Sequence, residues 1–229
     1  MYFLLSSNLV GYSLKFEMFI KSENNIKLES VLHETDSNKY ALILHPHPLY
    51  GGNMDNKVVF TLDKALKENN FNTLKINFRG CGKSTGSYCD GVGEYVDACY
   101  GFEFMKHIAS LSGKEKAEIW VGGFSFGAFI AIKLLEKYLE NIHKTILLGI
   151  PFSLFDISLM QKINFDGIVI HGEMDEITNI DILKENIEKS LAYQNKKLVV
   201  SILEKNDHFF SNNLENLKNT INKYIKNVK

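Results

Sequence analysis

Proline and cysteine are both scarce in this 229-residue chain, at three residues each. With so few prolines and no low-complexity tract or internal repeat, nothing marks a linker, and the chain reads as one domain. Cys81, Cys89 and Cys99 are odd in number and lack C-x-x-C spacing. That excludes a disulfide framework or a cysteine zinc site and points to reduced thiols in a cytoplasmic protein. Charge of either sign is not in excess: 26 basic and 27 acidic side chains leave a net charge of -1. Neither nucleic acid nor an anionic membrane has an electrostatic reason to bind, and the lysines of the last third read as a solvated face. No apolar run approaches the roughly 20 residues of a membrane span. The apolar start of the chain lacks a basic leading segment and is broken by Asn8, so no signal peptide is expected. What remains, at 45% apolar and 23% charged, suits a globular protein with one sizeable core.

The hydrophobic pattern changes period along the chain. Three strand-like runs come first, at 16–20, 26–32 and 40–44. Helical patterns at 57–67, 93–107, 126–138, 180–193 and 213–225 then alternate with apolar strands at 73–78, 117–122, 145–149, 167–171 and 198–203. Strands that alternate with helices predict an α/β protein with a mostly parallel sheet of about eight strands. Helices should cover both faces, and functional residues should lie at the strands' carboxyl ends. Residues 1–14 stand apart as an N-terminal extension, an added strand or tail, before a single domain at 15–229.

The strand at 117–122 runs into Gly123-Phe124-Ser125-Phe126-Gly127. This G-x-S-x-G pattern reads as a sharp strand-to-helix turn with a serine at its apex, the geometry of a nucleophile elbow. Three fixed positions arise readily by chance, so the test is whether a base and an orienting carboxylate follow in the order acid then histidine. The strand at 167–171 ends before Glu173, Asp175 and Glu176, of which Asp175 is taken as the acid. Glu173 and Glu176 compete with it if Asp175 merely caps the following helix. The last strand ends before Asp207-His208, which makes His208 the base in preference to His45, His47 and His171.

A second cluster, His45-Pro46-His47-Pro48-Leu49-Tyr50-Gly51-Gly52, follows the strand at 40–44. Acyl transfer needs donors aimed at a developing oxyanion. The Phe126 backbone N–H is one candidate, and in this loop, where Pro46 and Pro48 have no N–H, the amides of His47 and Leu49 compete, with His47 preferred. Two histidines two apart on extended chain could instead ligate zinc, but no third ligand stands at a suitable spacing, so no metal and no cofactor is expected.

The H-P-H-P loop with Gly51-Gly52-Asn53-Met54-Asp55-Asn56, Asn77-Phe78-Arg79-Gly80-Cys81-Gly82-Lys83-Ser84, Gly123 to Gly127, and Asp207-His208-Phe209-Phe210 occur in that order. Together they resemble the small, lid-poor bacterial α/β-hydrolases of the H-P-H-P type, relatives of the dienelactone-hydrolase-like and small serine esterase branch. The resemblance spans roughly residues 15 to 215. It implies an α/β-hydrolase fold without a sizeable lid, a Ser125–Asp175–His208 triad, and oxyanion donors at Phe126 and the H-P-H-P loop. Dienelactone hydrolases proper use a cysteine nucleophile, so Ser125 argues against that activity.

The expected function is therefore a serine hydrolase, a carboxylesterase or thioesterase working through an acyl-enzyme on a small-molecule or acyl-carrier substrate. Only 16 residues separate Gly149 from Phe165 inclusive of the latter, too few for a helical lid, so the pocket should be open. Tyr50, Phe152 and Phe155 are its candidate wall, with Leu154, Leu159 and Met160 as further possibilities. Two other classes compete: a catalytically silent scaffold used for binding, and a nucleotide binder at 80–84, where Gly82-Lys83-Ser84 imitates the end of a P-loop. Asn77 stands where that motif needs glycine.

Overall fold

In a computed structural model, described for residues 3–10, 13–113, 116–192 and 198–228, nine strands form one sheet. They are β1 (Phe3–Val10), β2 (Ser13–Lys21), β3 (Lys27–Glu34), β4 (Lys39–Leu44), β5 (Asn72–Ile76), β6 (Glu118–Phe124), β7 (Lys144–Leu148), β8 (Gly167–Gly172) and β9 (Leu198–Leu203). Their order is β1-β2-β3-β5-β4-β6-β7-β8-β9. The first three and the β3–β5 pair are antiparallel, and every pairing from β5 to β9 is parallel. The sheet exceeds the expected eight strands because residues 3–10 pair with β2 as an edge strand. β2 begins at Ser13, so the expected boundary after residue 14 falls inside a strand.

The helices are α1 (Lys57–Glu68), α2 (Val92–Leu111), α3 (Phe126–Tyr138), α4 (Leu159–Lys162), α5 (Ile180–Ala192) and α6 (Leu214–Asn227). They divide the core in two. On one face Val58, Leu62 and Leu66 of α1 and Leu217, Ile221 and Ile225 of α6 pack with Trp120, Phe124, Ile146 and Ile170. On the other, Phe102 of α2 and Ile130 and Leu134 of α3 pack with Leu42, Leu74, Val121, Leu147 and Val169. Each central strand thus sends alternate residues to opposite apolar layers, as a doubly covered parallel sheet requires. Between β7 and α5 only the short α4 and β8 intervene, and among the described residues no lid covers the carboxyl ends of the strands.

The turn after β5 is tied down by a buried ion pair. Arg79 Nε and Nη2 donate to Asp97 of α2 at 3.0 and 2.8 Å, the Arg79 N–H adds a third bond at 2.9 Å, and Ser22 Oγ donates to the same carboxylate at 3.0 Å. Both partners are almost fully buried, so the fork geometry compensates the desolvation that burying two charges costs. Glycine at 93 makes room for this, since a Cβ there would overlap the guanidinium.

The P-loop look-alike is consumed by the same turn. Lys83 faces Glu29 of β3, with Nζ 3.6 Å from Oε1 and the backbone N–H donating to Oε2 at 2.8 Å. Ser84 Oγ donates to the Asn77 carbonyl at 2.7 Å and accepts the Glu29 N–H at 2.9 Å. The groups that would cradle phosphate and magnesium are spent on joining the loop to β3.

Candidate active site

The residues singled out at 125, 175 and 208 come from the carboxyl ends of β6, β8 and β9 and meet in hydrogen-bond contact. Ser125 sits at the apex between β6 and α3 with φ 52° and ψ −117°, a left-handed conformation that costs a non-glycine residue of order 1–3 kcal/mol and persists only where its surroundings impose it. The surroundings do so from both sides. The Ser125 N–H extends the β6–β7 ladder by donating to Leu148 O at 2.9 Å, while its carbonyl accepts the Ala128 and Phe129 N–H groups at 2.8 and 3.1 Å to start the helix. Glycine flanks the serine because a Cβ at 123 would overlap the Gly127 carbonyl, and one at 127 the carbonyls of Leu44 and His45. Those overlaps are with backbone, which cannot move aside as a side chain can.

His208 Nε2 lies 2.9 Å from Ser125 Oγ, and His208 Nδ1 lies 2.7 Å from Asp175 Oδ2. The ionised carboxylate accepts a hydrogen bond from Nδ1–H, which keeps the imidazole proton on Nδ1 and leaves Nε2 as an acceptor for the serine hydroxyl. All three side chains are largely withdrawn from water. Asp175 is fixed in turn: Oδ1 accepts the Ile177 and Thr178 N–H groups at 2.9 and 2.8 Å. Burial opposes ionisation of Asp175, but the His208 hydrogen bond and charge, the Thr178 N–H and His171 outweigh it and hold the carboxyl below its ordinary range.

The competing acids face elsewhere. Glu173 Oε2 accepts the Lys205 N–H at 3.0 Å, and Glu176 Oε2 accepts the His208 backbone N–H at 3.4 Å. Both therefore shape the loop that carries the histidine without reaching its ring. His171 was not singled out as a contributor, yet its Nε2 lies 3.3 Å from Asp175 Oδ2 and 2.7 Å from the Thr178 carbonyl. Burial lowers its pKa, so at neutral pH it acts as an uncharged donor behind the acid.

The H-P-H-P loop lies beside the serine because β4 and β6 are parallel neighbours with Leu44 opposite Gly123. Its two histidines do different things. His45 is fully buried: Nε2 accepts the Phe78 N–H at 3.0 Å and Nδ1 lies 2.6 Å from the Pro46 carbonyl. Burial drives its pKa to about 4, against the opposing pull of that carbonyl. With Nε2 pinning the end of β4 to the turn after β5 and Nδ1 held by the neighbouring Pro46 carbonyl, His45 has no lone pair to offer a metal, and the zinc alternative loses its first ligand. Among the described residues no group of three or more potential ligands is assembled elsewhere either. His47 instead faces the site. Its Nδ1 accepts the Leu49 N–H at 3.2 Å, so the amide that competed with His47 as a donor is already taken.

A cavity of about 410 Å³ opens over Ser125 and His208, lined also by His47, Tyr50, Asn56, Phe126, Leu154, Phe155, Ile177 and Phe209. Of the three candidate wall residues, Tyr50 and Phe155 line the cavity. Phe152 does not line it and packs only against the main core, to which Leu159 and Met160 also belong, after a turn in which the Leu154 and Phe155 N–H groups bond back to Pro151. Phe155 is braced from behind by Phe129, whose ring is stacked on it at 4.5 Å. Ile177 and Phe209 went unpredicted. Each follows a strand-end turn next to a residue of the constellation, a position that sequence proximity to Asp175 and His208 could have flagged.

The sequence profile of the family described as serine aminopeptidase, S33, matches residues 49–200. The chain belongs to that family. An uncharacterised protein of Rickettsia prowazekii is 35% identical over 189 residues, covering 81% of this chain and 77% of the relative. Among solved structures, an α/β serine hydrolase homologue from Coxiella burnetii superposes with a TM-score of 0.80 at 29% identity, covering 96% of this chain and all of that one. A serine hydrolase without lid from Xanthomonas campestris has the same fold, with a TM-score of 0.80 at 23% identity over 98% of this chain and 96% of its own. The chain is thus an α/β serine hydrolase family member, and among the described residues no helix is long and apolar enough to cross a membrane.

Proposed function

We propose that this S33 family member is a carboxylesterase or thioesterase of the small, lid-poor type, acting on uncharged, apolar acyl groups. The observation that carries the reading is the unbroken run of contacts Asp175–His208–Ser125, at 2.7 and 2.9 Å, opening into an apolar cavity. His208 Nε2 takes the Ser125 proton as Oγ bonds to the substrate carbonyl carbon. When the tetrahedral species collapses, the bond to the alcohol or thiol breaks and the imidazolium returns the proton to that leaving group. Water, deprotonated by His208, then releases the acid and restores the serine. The oxyanion is held by the N–H groups of Phe126 and His47, for which no acceptor stands among the described residues.

Electrostatics of the cavity favour esters over the substrate implied by the family's name. An aminopeptidase needs a carboxylate for the substrate's α-ammonium group, and among the residues lining this cavity none is Asp or Glu. No lysine or arginine lines it either, so an acyl group bearing a carboxylate finds no partner. The three unpaired cysteines suit a reducing, cytoplasmic setting. The reading is tested by comparing kcat/KM for p-nitrophenyl esters of neutral acids with that for the p-nitroanilide of a free amino acid. A preference for the neutral ester of at least about 10³-fold is expected, and a faster anilide would overturn it.

A further inference from the structure

The His47 imidazole and Tyr88 have no place in the acyl-transfer scheme, yet they are joined. Tyr88 stands in the segment between β5 and α2 and does not line the cavity. Its hydroxyl lies 3.0 Å from His47 Nε2. Because His47 Nδ1 accepts the Leu49 N–H, the imidazole proton sits on Nε2 and is donated to the tyrosine oxygen. The ring is wedged between those of Tyr50, Tyr88 and Phe126, with centroids at 4.8, 4.8 and 5.0 Å.

Both ends of this link are built into the fold. On the His47 side the chain makes a single turn in which the Tyr50 and Gly52 N–H groups bond to the His47 carbonyl at 3.2 and 3.1 Å. Its side chain closes the same turn through Leu49, and Gly52 lets the chain pass against the Pro46 carbonyl, which a Cβ would overlap. These bonds fix the His47–Pro48 peptide, and through the His47 Cα they tie the imidazole to the Pro46–His47 peptide, which carries the N–H and whose carbonyl lies 2.6 Å from His45 Nδ1. On the Tyr88 side, the carboxylate of Glu94, buried at the start of α2, accepts the Cys89 and Gly91 N–H groups at 2.9 and 2.8 Å and fixes the segment that carries the tyrosine.

We propose that Tyr88 is a positioning residue for acyl transfer, which holds the His47 imidazole so that the His47 backbone N–H stays aimed at the oxyanion. The proposal rests on the reading of that N–H as an oxyanion donor. Removing such a donor outright costs about 10²–10³ in kcat. Loosening one that remains present should cost less. Tyr88→Phe keeps the ring against Phe126 and deletes only the acceptor.

The test is a double-mutant cycle on a neutral p-nitrophenyl ester, with Tyr88→Phe, His47→Asn and the double variant, each checked for an unchanged melting temperature. Asparagine at 47 has a side-chain oxygen able to keep the Leu49 cap but is too short to reach Tyr88. Tyr88→Phe is expected to lower kcat about 10-fold with KM within about 2-fold. In the His47→Asn background the same change should lower kcat by less than about 2-fold, because its route is gone. The pairing is overturned if Tyr88→Phe leaves kcat unchanged, if the loss appears in KM, or if the two losses multiply. Wild-type protein that neither turns over the ester nor reacts with a serine-directed phosphonate would overturn the underlying reading as well; normal wild-type turnover with an inert Tyr88→Phe change overturns the pair alone.

Discussion

Alanine at position 125 is expected to lower kcat for a neutral ester by about 10⁴-fold or more, with KM changed by less than about 3-fold. The loss is large because the scheme runs through one atom. Without Oγ there is no acyl-enzyme, and the hydrogen bond at 2.9 Å to His208 Nε2 has no donor. Ground-state binding should survive, since the cavity wall is supplied by Tyr50, Leu154, Phe155, Ile177 and Phe209. Stability should change little: alanine retains a Cβ at the strained φ of 52°, and the Ser125 main-chain bonds to Leu148, Ala128 and Phe129 do not involve the hydroxyl. Steady-state kinetics paired with a thermal melt separates this outcome from unfolding, in which both quantities would collapse.

Asp175→Asn should be nearly as damaging, at about 10³–10⁴-fold in kcat near neutral pH, although it removes no group from the cavity. The carboxylate is acceptor-only and receives N–H groups from three residues, Ile177 and Thr178 at Oδ1 and His208 at Oδ2, while His171 Nε2, whose proton goes to the Thr178 carbonyl, stands 3.3 Å from Oδ2. An asparagine that keeps its oxygen toward the Ile177 and Thr178 amides places its NH₂ against His208 Nδ1. The imidazole then accepts at Nδ1, carries its proton on Nε2 and can no longer take one from the serine. Placing the same NH₂ near the His171 Nε2–H adds a donor–donor conflict. Because the acid's depressed pKa comes from the partners that hold it, with burial opposing, the wild-type carboxylate stays ionised throughout the neutral range. A kcat profile from pH 6 to 9 for wild type and Asp175→Asn checks the prediction: the variant should stay depressed across it. Recovery to within about 10-fold of wild type at neutral pH would show that the tautomer is not set by Asp175.

Which parts of this arrangement could be read from sequence follows from how local each one is. The elbow is written in five consecutive residues, because the overlaps that demand glycine at 123 and 127 arise within the turn and against the neighbouring strand end. The parallel sheet is legible because strands buried on both faces must be apolar throughout, as Ile168-Val169-Ile170 is. The choice among Glu173, Asp175 and Glu176 was not settled by pattern. It depends on the turn that points Asp175 at the loop after β9 and leaves its neighbours to bind backbone N–H groups there.

Other parts leave no periodic trace. Residues 3–10 become an edge strand through pairing with β2, and an edge need not be apolar on both faces. Phe152 and Phe155 look equivalent as apolar residues after a strand, and both pack against the core, but only Phe155 also lines the cavity. Tyr88 lies 41 positions from His47 in an aperiodic loop, so nothing in the spacing announces their contact.

The central claim is that Ser125 is an activated nucleophile, and reaction with a fluorophosphonate tests it most directly. Attack by Oγ on phosphorus expels fluoride, so intact mass should rise by one probe mass less hydrogen fluoride. Peptide mapping should place the adduct on Ser125, and Ser125→Ala should remain unmodified under the same conditions. Wild-type protein that stays unmodified, or that carries the adduct on another residue, would contradict the account.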